Sequence, residues 1–509
     1  MDKRNDALLP PWQRVTLISG FVLLAAMVTV GCLIRPLNRD EHQFVAAGAL
    51  LARTGAVPYS DYPFFHLPNL AFIYAGLFLT NGYLLLTARA FNIGCAILLL
   101  GCFVVITVDR LSSLGGKRWF AGLIYACVVA LTPLFRFTAG RAWNHDLPTL
   151  ATAVAAALIA RVWPKSPSLA VSALCGSLFG IAAGTRISFV PLALPFLLVL
   201  LLARDSWQAR WQRAAIFAGC AAVFLLPAFT LFAKSPQRFI FDNLTYNREL
   251  NLKYRETTVP DEVAPGNKVL FPLRQVIKSP SSIAVIAIAL YLGLSVSALK
   301  RRQVLTSTGV VIFAFVPFLL LGAWLPNPSY RQYYYPVIIF LLLALPFMTG
   351  ELLASRRWTW HWWPLLLFAI ISLAEASQDL PAPRRVVSPS RWYVFIAHKN
   401  GHRIARVAGA GPVLTLAPIA ALEGKAAIYK EFATGPFAWR TTPFLSLEDR
   451  RRYGFIGPEE LPAYLNNRPP KAILTGYEVD FEEPFVEYAR KHLYRPEQLL
   501  RRKVSWIQP

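Results

Sequence analysis

The sequence predicts an all-α polytopic membrane domain of about eleven transmembrane helices over residues 1–376, followed by a small C-terminal α/β domain over 381–509. Three observations predict it. The chain is 55% hydrophobic, with 14 Trp and 34 Phe and a mean hydropathy of +0.43, far more apolar than a soluble globular chain. Its apolar runs reach spanning length and are separated by short Lys/Arg clusters. After about residue 377 the composition turns polar and proline-punctuated.

The net charge of +24 would suggest a nucleic-acid partner in a soluble protein. Here much of the Lys and Arg lies between apolar runs, where it orients spans in the bilayer, so no nucleic-acid partner is expected. The six cysteines fall within or beside apolar runs, with no C-x-x-C pair, and read as small buried apolar residues.

The first run, 15–34, follows Lys3, Arg4 and Arg14 but is long and lacks a small-residue cleavage site; the expectation is a retained first span. Further spans are expected near 83–108, 119–138, 147–163, 168–185, 187–203, 214–233, 281–299, 304–324, 333–349 and 358–376. The run "LPNLAFIYAGLFLT" (67–80) has a proline at its second residue and is too short to cross comfortably, so it is expected at the interface or dipping into it.

Charge tests that choice. With a cytoplasmic N-terminus and a non-spanning 67–80, the cytoplasmic connections are "DRLSSLGGKR", "RVWPKSP", "RDSWQARWQR", "LKRRQ" and "GELLASRRW". Every one is basic, as positive-inside requires. Residues 35–82, "GRAWNHD" (140–146), the loop 234–280, "PNPSYRQ" (326–332) and everything after about 377 then share the outer face. At "GTRISFVP", Arg186 sits with almost no loop between two runs, which suggests short, broken helices. In the C-terminal part, "GPVLTLAP" and "PKAILTGYE" read as short buried strands and "FEEPFVEYARKHLY" as a helix.

The outer loops hold Asp40, Glu41, His42, Asp61, His66, Arg141, His145, Asp146, Arg248, Lys253 and Arg331. Ionisable groups close to hydrocarbon are expensive to keep and are often functional. For Asp40 and Glu41 the structural alternative is an acidic cap on the helix that "HQFVAAGALLA" would form, with Asp40 accepting from free backbone N–H groups. For Asp61 the alternative is a solvated loop carboxylate, and for each arginine it is interfacial snorkelling. "NLT" (243–245) is an N-x-T sequon, a triplet common by chance.

The frame "DEHQFVAAGALLARTGAVPYSDYPFFHLPN" combines an acidic pair just after the first span, a helix leading to G-x-x-P-Y-x-D, then H-x-P and an apolar stretch. With "RAWNHDLPTL" after the third span and "YRQYYYP" opening a late one, it resembles the GT-C superfamily of membrane glycosyltransferases, in particular the protein O-mannosyltransferases and the lipid A aminoarabinose transferases. The resemblance implies a glycosyltransferase of the inner membrane, with active site and C-terminal domain periplasmic, using a sugar on polyprenyl phosphate and a lipid, polysaccharide or protein acceptor. It implies Asp40 as base and Glu41 as the group that orients it, holds the acceptor or helps bind a divalent ion. Arg141, Arg186, Arg248 and Arg331 are the candidates for the donor phosphate, since guanidinium suits bidentate phosphate contact. His66, His145, Asp146 and Asp61 are candidates for the acceptor or the outer cavity, and His42, His66 and His145, with Asp146, for a divalent metal, although their spacing matches no compact ligand motif.

The chemistry fits independently. Outside the cytoplasm nucleotide sugars are absent, so a donor must be carried in the membrane. Direct displacement needs one base for the acceptor proton, and the departing phosphate needs cations rather than a proton. A multi-span lipid or glycan transporter is the competing class, but no internal repeat or mid-span charge cluster marks one. A non-catalytic glycolipid binder on the same scaffold is a third.

Overall fold

The computed structural model describes residues 10–275, 279–355, 363–378, 382–500 and 503–508. The start of the last expected span, 358–362, and the domain-boundary residue 381 lie outside them.

Helix α1 (Pro11–Ile34) opens with proline at its first position, where the missing N–H costs nothing. It is followed by α2 (Arg39–Thr54), α3 (Asn69–Phe78), α4 (Leu84–Arg110), α5 (Lys117–Leu131), α6 (Pro133–Thr138), α7 (Asp146–Val162) and α8 (Leu169–Thr185). Among the described residues four helices are long and apolar enough to cross a bilayer unaided: α1, α4, Pro280–Lys300 and Arg331–Ala354. Trp207–Phe224 and Leu226–Lys234 form a fifth candidate, bent by 56°.

The expectation of about eleven spans is therefore not met as unbroken helices, and proline is the recurrent reason. Run 119–138 divides into α5 and α6 at Pro133, run 214–233 divides before Pro227, and run 304–324 divides into Thr308–Phe313 and Val316–Trp324 before Pro317. A proline inside a helix removes one hydrogen bond and crowds the preceding turn, so the chain restarts with proline in the new first turn. At "GTRISFVP" the expected break is present: α8 ends at Thr185, Arg186 is extended at φ −152°, and a 3₁₀ turn, Ile187–Leu192, leads into Ala193–Leu202. Helix α3 has ten residues and rises about 15 Å, half the thickness of the hydrocarbon layer.

The C-terminal part carries one five-stranded sheet, β1 (Pro412–Leu414), β2 (Ala427–Ile428), β3 (Ala472–Thr475), β4 (Arg495–Leu500) and β5 (Lys503–Ile507), in the order β2-β1-β3-β5-β4. β1 is parallel to both β2 and β3, whereas β5 is antiparallel to β3 and β4. The expected strands are β1 and β3, and the expected helix is Glu483–Lys491. β4 (RPEQLL) and β5 (KVSWI) carry no sustained apolar alternation that would announce them.

This part packs on α2, the start of α4 and the 140–146 segment. Val45, Leu84 and Ala142 share one core with Ile404, Ile419 and Leu422. Polar bonds add direction: Leu85 N–H donates to Glu423 at 2.6 Å, Arg53 to the Leu422 carbonyl at 2.6 Å, and the Tyr246 hydroxyl to the Phe437 carbonyl at 2.7 Å.

Candidate functional site

The acidic pair sits in the first turn of α2, where its two members take different roles. Asn38 is the N-cap, its side chain accepting from Asp40 N–H at 2.9 Å, and Glu41 three residues on reaches back to Asn38 N–H at 2.8 Å. This is a capping box, so Asn38 and Glu41 do the capping that the sequence would allow Asp40 to do.

Glu41 has no exposure and meets Arg89 of α4 in two parallel bonds of 2.8 Å. It also accepts from Ala142 N–H at 2.8 Å. Arg89 spends its remaining donors on the carbonyls of Cys32, Arg35 and Pro36 at the end of α1. One buried ion pair thus ties the end of α1, the start of α2, α4 and the 140–146 loop together. Burial alone would push the Glu41 carboxyl up, but the guanidinium beside it outweighs burial and holds it below the ordinary value. Glu41 does not line the cavity described next, so the expectation that it touches acceptor or metal finds no support in the geometry, which leaves it buried against Arg89 and Ala142.

Asp40 is left with a free carboxylate. It lines a cavity of about 290 Å³ with Arg186, Arg255, Arg440, His66, His145 and Tyr333 among its neighbours, and it is the one carboxylate among the lining residues. Burial pushes its carboxyl up, and the charges of Arg440 and Arg186 pull it partly back. Among the described residues neither Arg186 nor Arg440 stands in an ion pair.

The break after α8 aims Arg186 at the cavity, where it donates to Asn144 Oδ1 at 2.9 Å and to Ser188 Oγ at 2.8 Å, contacts the His145 ring at 3.0 Å, and lies 4.5 Å over the Tyr333 ring. Arg440 comes from the C-terminal domain. It donates to Asn251 Oδ1 at 2.8 Å between the rings of Tyr254 and Phe437, each 4.7 Å away. Arg255 is paired with Glu262 at 3.2 Å. A π-helical turn, Phe241–Leu250, supplies Tyr246 and Asn247 to the wall; such turns recur at functional sites.

Of the four expected phosphate arginines, Arg186 reaches this cavity. Arg141 and Arg331 are not among its lining residues but lie 5.5 and 5.3 Å from the ring of Phe137, which is, and Arg248 is exposed. His66 and His145 line the cavity as expected, and burial keeps both imidazoles neutral, His66 being pushed down to about 3. Asp146 is buried, accepting from Gly140 N–H at 2.8 Å and the Tyr335 hydroxyl at 3.3 Å, and does not line the cavity. Asp61 accepts from Val57 N–H at 2.7 Å and pairs with Lys430 at 3.3 Å on the surface between the two domains. Both depart from the expected cavity role because backbone donors claim them locally.

The metal expectation is corrected as well. His42 points away from His66 and His145, its Nδ1 accepting from Ile419 N–H at 3.4 Å across the domain interface. Among the described residues no group of three or more His, Cys, Asp or Glu side chains has metal-holding geometry.

Sequence reading missed Arg89, Arg255 and Arg440. Arg89 carried a signal, an arginine inside the apolar run "LLLTARAFNIG". Arg440 carried none, because its place depends on how the C-terminal domain docks.

No family model matches the chain, and no curated protein sequence matches it. Among solved structures, ArnT from Cupriavidus metallidurans, bound to undecaprenyl phosphate, is similar over 97% of this chain and 97% of its own, with a TM-score of 0.58 and 14% identity. The archaeal oligosaccharyltransferase AglB from Archaeoglobus fulgidus, in complex with an inhibitory peptide and a dolichol-phosphate, is similar over 96% of this chain and 73% of its own, with a TM-score of 0.51 and 13% identity. The likeness is one of fold, and it agrees with the GT-C resemblance of the motifs.

Proposed function

We propose that this GT-C-like chain is a glycosyltransferase that moves a sugar from a polyprenyl-phosphate donor to an acceptor hydroxyl or amine at the outer face of the membrane. The broken apolar segments complete about eleven crossings on this reading, with the cavity and the C-terminal domain on the periplasmic side of an inner membrane. The observation that carries it is Asp40, a carboxylate released from capping and left as the one acid in a cavity with Arg186 and Arg440. The bound lipid phosphates of ArnT and AglB support a lipid-phosphate ligand for a cavity of this fold.

Asp40 takes the proton of the acceptor as its oxygen or nitrogen forms a bond to the anomeric carbon. The bond from that carbon to the phosphate oxygen breaks, and the polyprenyl phosphate leaves with the electron pair. Arg186 and Arg440 stabilise the charge that grows on the phosphate, and aromatic neighbours hold both guanidinium groups in place without neutralising them. His66 and His145, kept neutral, serve as hydrogen-bonding groups in the cavity.

The test compares envelope glycolipids and glycans by mass spectrometry in cells carrying the wild-type gene, no gene, or Asp40→Asn. One sugar should be missing from both the deletion and the Asp40→Asn strain, with the variant inserted at the wild-type level. Full glycosylation by Asp40→Asn would refute Asp40 as base.

A further inference from the structure

On the face of the C-terminal domain that meets the start of α4, helix Tyr393–Ala408 carries His398 and His402 one turn apart. Their Nε2 atoms stand 3.1 Å from each other, with the ring planes at 80°. Neither residue lines the cavity that holds Asp40.

The surroundings fix one imidazole. His398 Nδ1 is 2.9 Å from Glu423 Oε2, and the Glu423 side chain is 1% exposed and anchored by Leu85 N–H at 2.6 Å. Because the carboxylate accepts, Nδ1 carries the proton and Nε2 presents a lone pair. Tyr83 stacks on the His398 ring, 3.7 Å between centroids. The helix is also seated closely: a Cβ at Gly401 would come within 2.7 Å of the backbone at Gly424. His398 is therefore preorganised, with its free nitrogen aimed at the His402 nitrogen.

We infer that His398 and His402 form a two-histidine site for a divalent transition metal, with Glu423 orienting His398 from behind. A separation of 3.1 Å is close to that between two nitrogen ligands bound at about 2.0–2.1 Å on one ion. A carboxylate on the far nitrogen of a ligating histidine fixes its tautomer and raises its basicity. Two imidazoles select a borderline ion such as Zn²⁺, Ni²⁺ or Cu²⁺ over Mg²⁺ or Ca²⁺, and water fills the remaining positions. On binding, the proton that His402 donates to His398 moves to Nδ1 of His402 through solvent, and the bond between the two rings is replaced by two bonds to the metal. Tyr83 and Leu85 come from the start of α4, so the ligand His398 is held in place by contacts across the domain interface.

The test uses the full chain, purified in detergent with any histidine tag removed, and titrates it with CuCl₂ followed by electron paramagnetic resonance and with ZnCl₂ followed by calorimetry. The wild type should bind one ion, with hyperfine structure from two nitrogens and a raised melting temperature. His402→Ala, a partly exposed position, should keep the metal-free melting temperature and lose the second nitrogen. Glu423→Gln should weaken binding by about ten- to a hundredfold. Equal binding by the wild type and the His398→Ala, His402→Ala double variant, or no binding by the folded wild type, would overturn the inference.

Discussion

Arg89 and Glu41 face each other in two parallel hydrogen bonds of 2.8 Å with neither side chain exposed. The pair uses Arg89 to close the end of α1 and Glu41 to open α2. Its geometric effect falls one residue away, on Asp40, whose carboxylate is neither capping nor paired.

Removing one partner should cost far more than the pair's net worth. Arg89→Ala leaves the Glu41 carboxylate buried without its cation, and a loss of about 3–5 kcal/mol is expected. Thermal unfolding of the purified chain checks this, and Glu41→Gln, which keeps the acceptor for Ala142, should lose less.

Activity should fall in acid. The proposed base Asp40 can take a proton only when ionised, and burial has raised its carboxyl above the ordinary value, so kcat/KM should drop as pH falls through a point above the usual carboxylate range. Arg440→Gln removes a charge that lowers this carboxyl and should move the acid limb to higher pH. An unmoved limb would separate Arg440 from Asp40.

The same raised carboxyl sets a stability trend. The folded chain holds the Asp40 proton more tightly than the unfolded chain, so this group's contribution is present below the unfolded value and lost as pH rises through the folded one. At neutral pH, Asp40→Asn should therefore melt at or above the wild-type temperature while losing turnover. A lowered melting temperature would contradict it.

Arg186 and Arg440 should act on the leaving phosphate. Losing one charge-assisted contact worth about 1.5–3 kcal/mol corresponds to roughly ten- to a hundredfold in kcat/KM. Arg186→Gln and Arg440→Gln should each show it, whereas Arg248→Gln, at an exposed position, should not. Steady-state kinetics with varied donor makes the comparison.

Gly140 should not tolerate a side chain. Its φ is +72°, and a Cβ would lie 2.4 Å from Cys32 Sγ. Gly140→Ala should cost more than about 1 kcal/mol and loosen the loop that brings Ala142 N–H to Glu41. A fall in melting temperature checks it.

The fold class was legible because membrane insertion writes itself into composition: long apolar runs and basic connections follow from the cost of hydrocarbon and the orientation of charge. The break at Arg186 was legible for the same reason, since a charge with no loop around it cannot sit in an ordinary span. The split between Asp40 and Glu41 was not, because both are acids at a helix start, and which of them caps depends on Arg89 arriving from α4 and Ala142 from a distant loop.

The sequence by itself determined the membrane class, the short C-terminal strands β1 and β3, and the neighbourhood of Asp40, His66, His145 and Arg186. Tertiary structure alone decided which carboxylate is free, that Asp61 and Asp146 are held by local backbone donors, and that Arg440 joins Asp40 in the cavity from far along the chain. Local energetics are encoded in neighbouring residues and show in the pattern. Which charges end up paired is fixed by long-range packing, where one docked surface makes the final assignment.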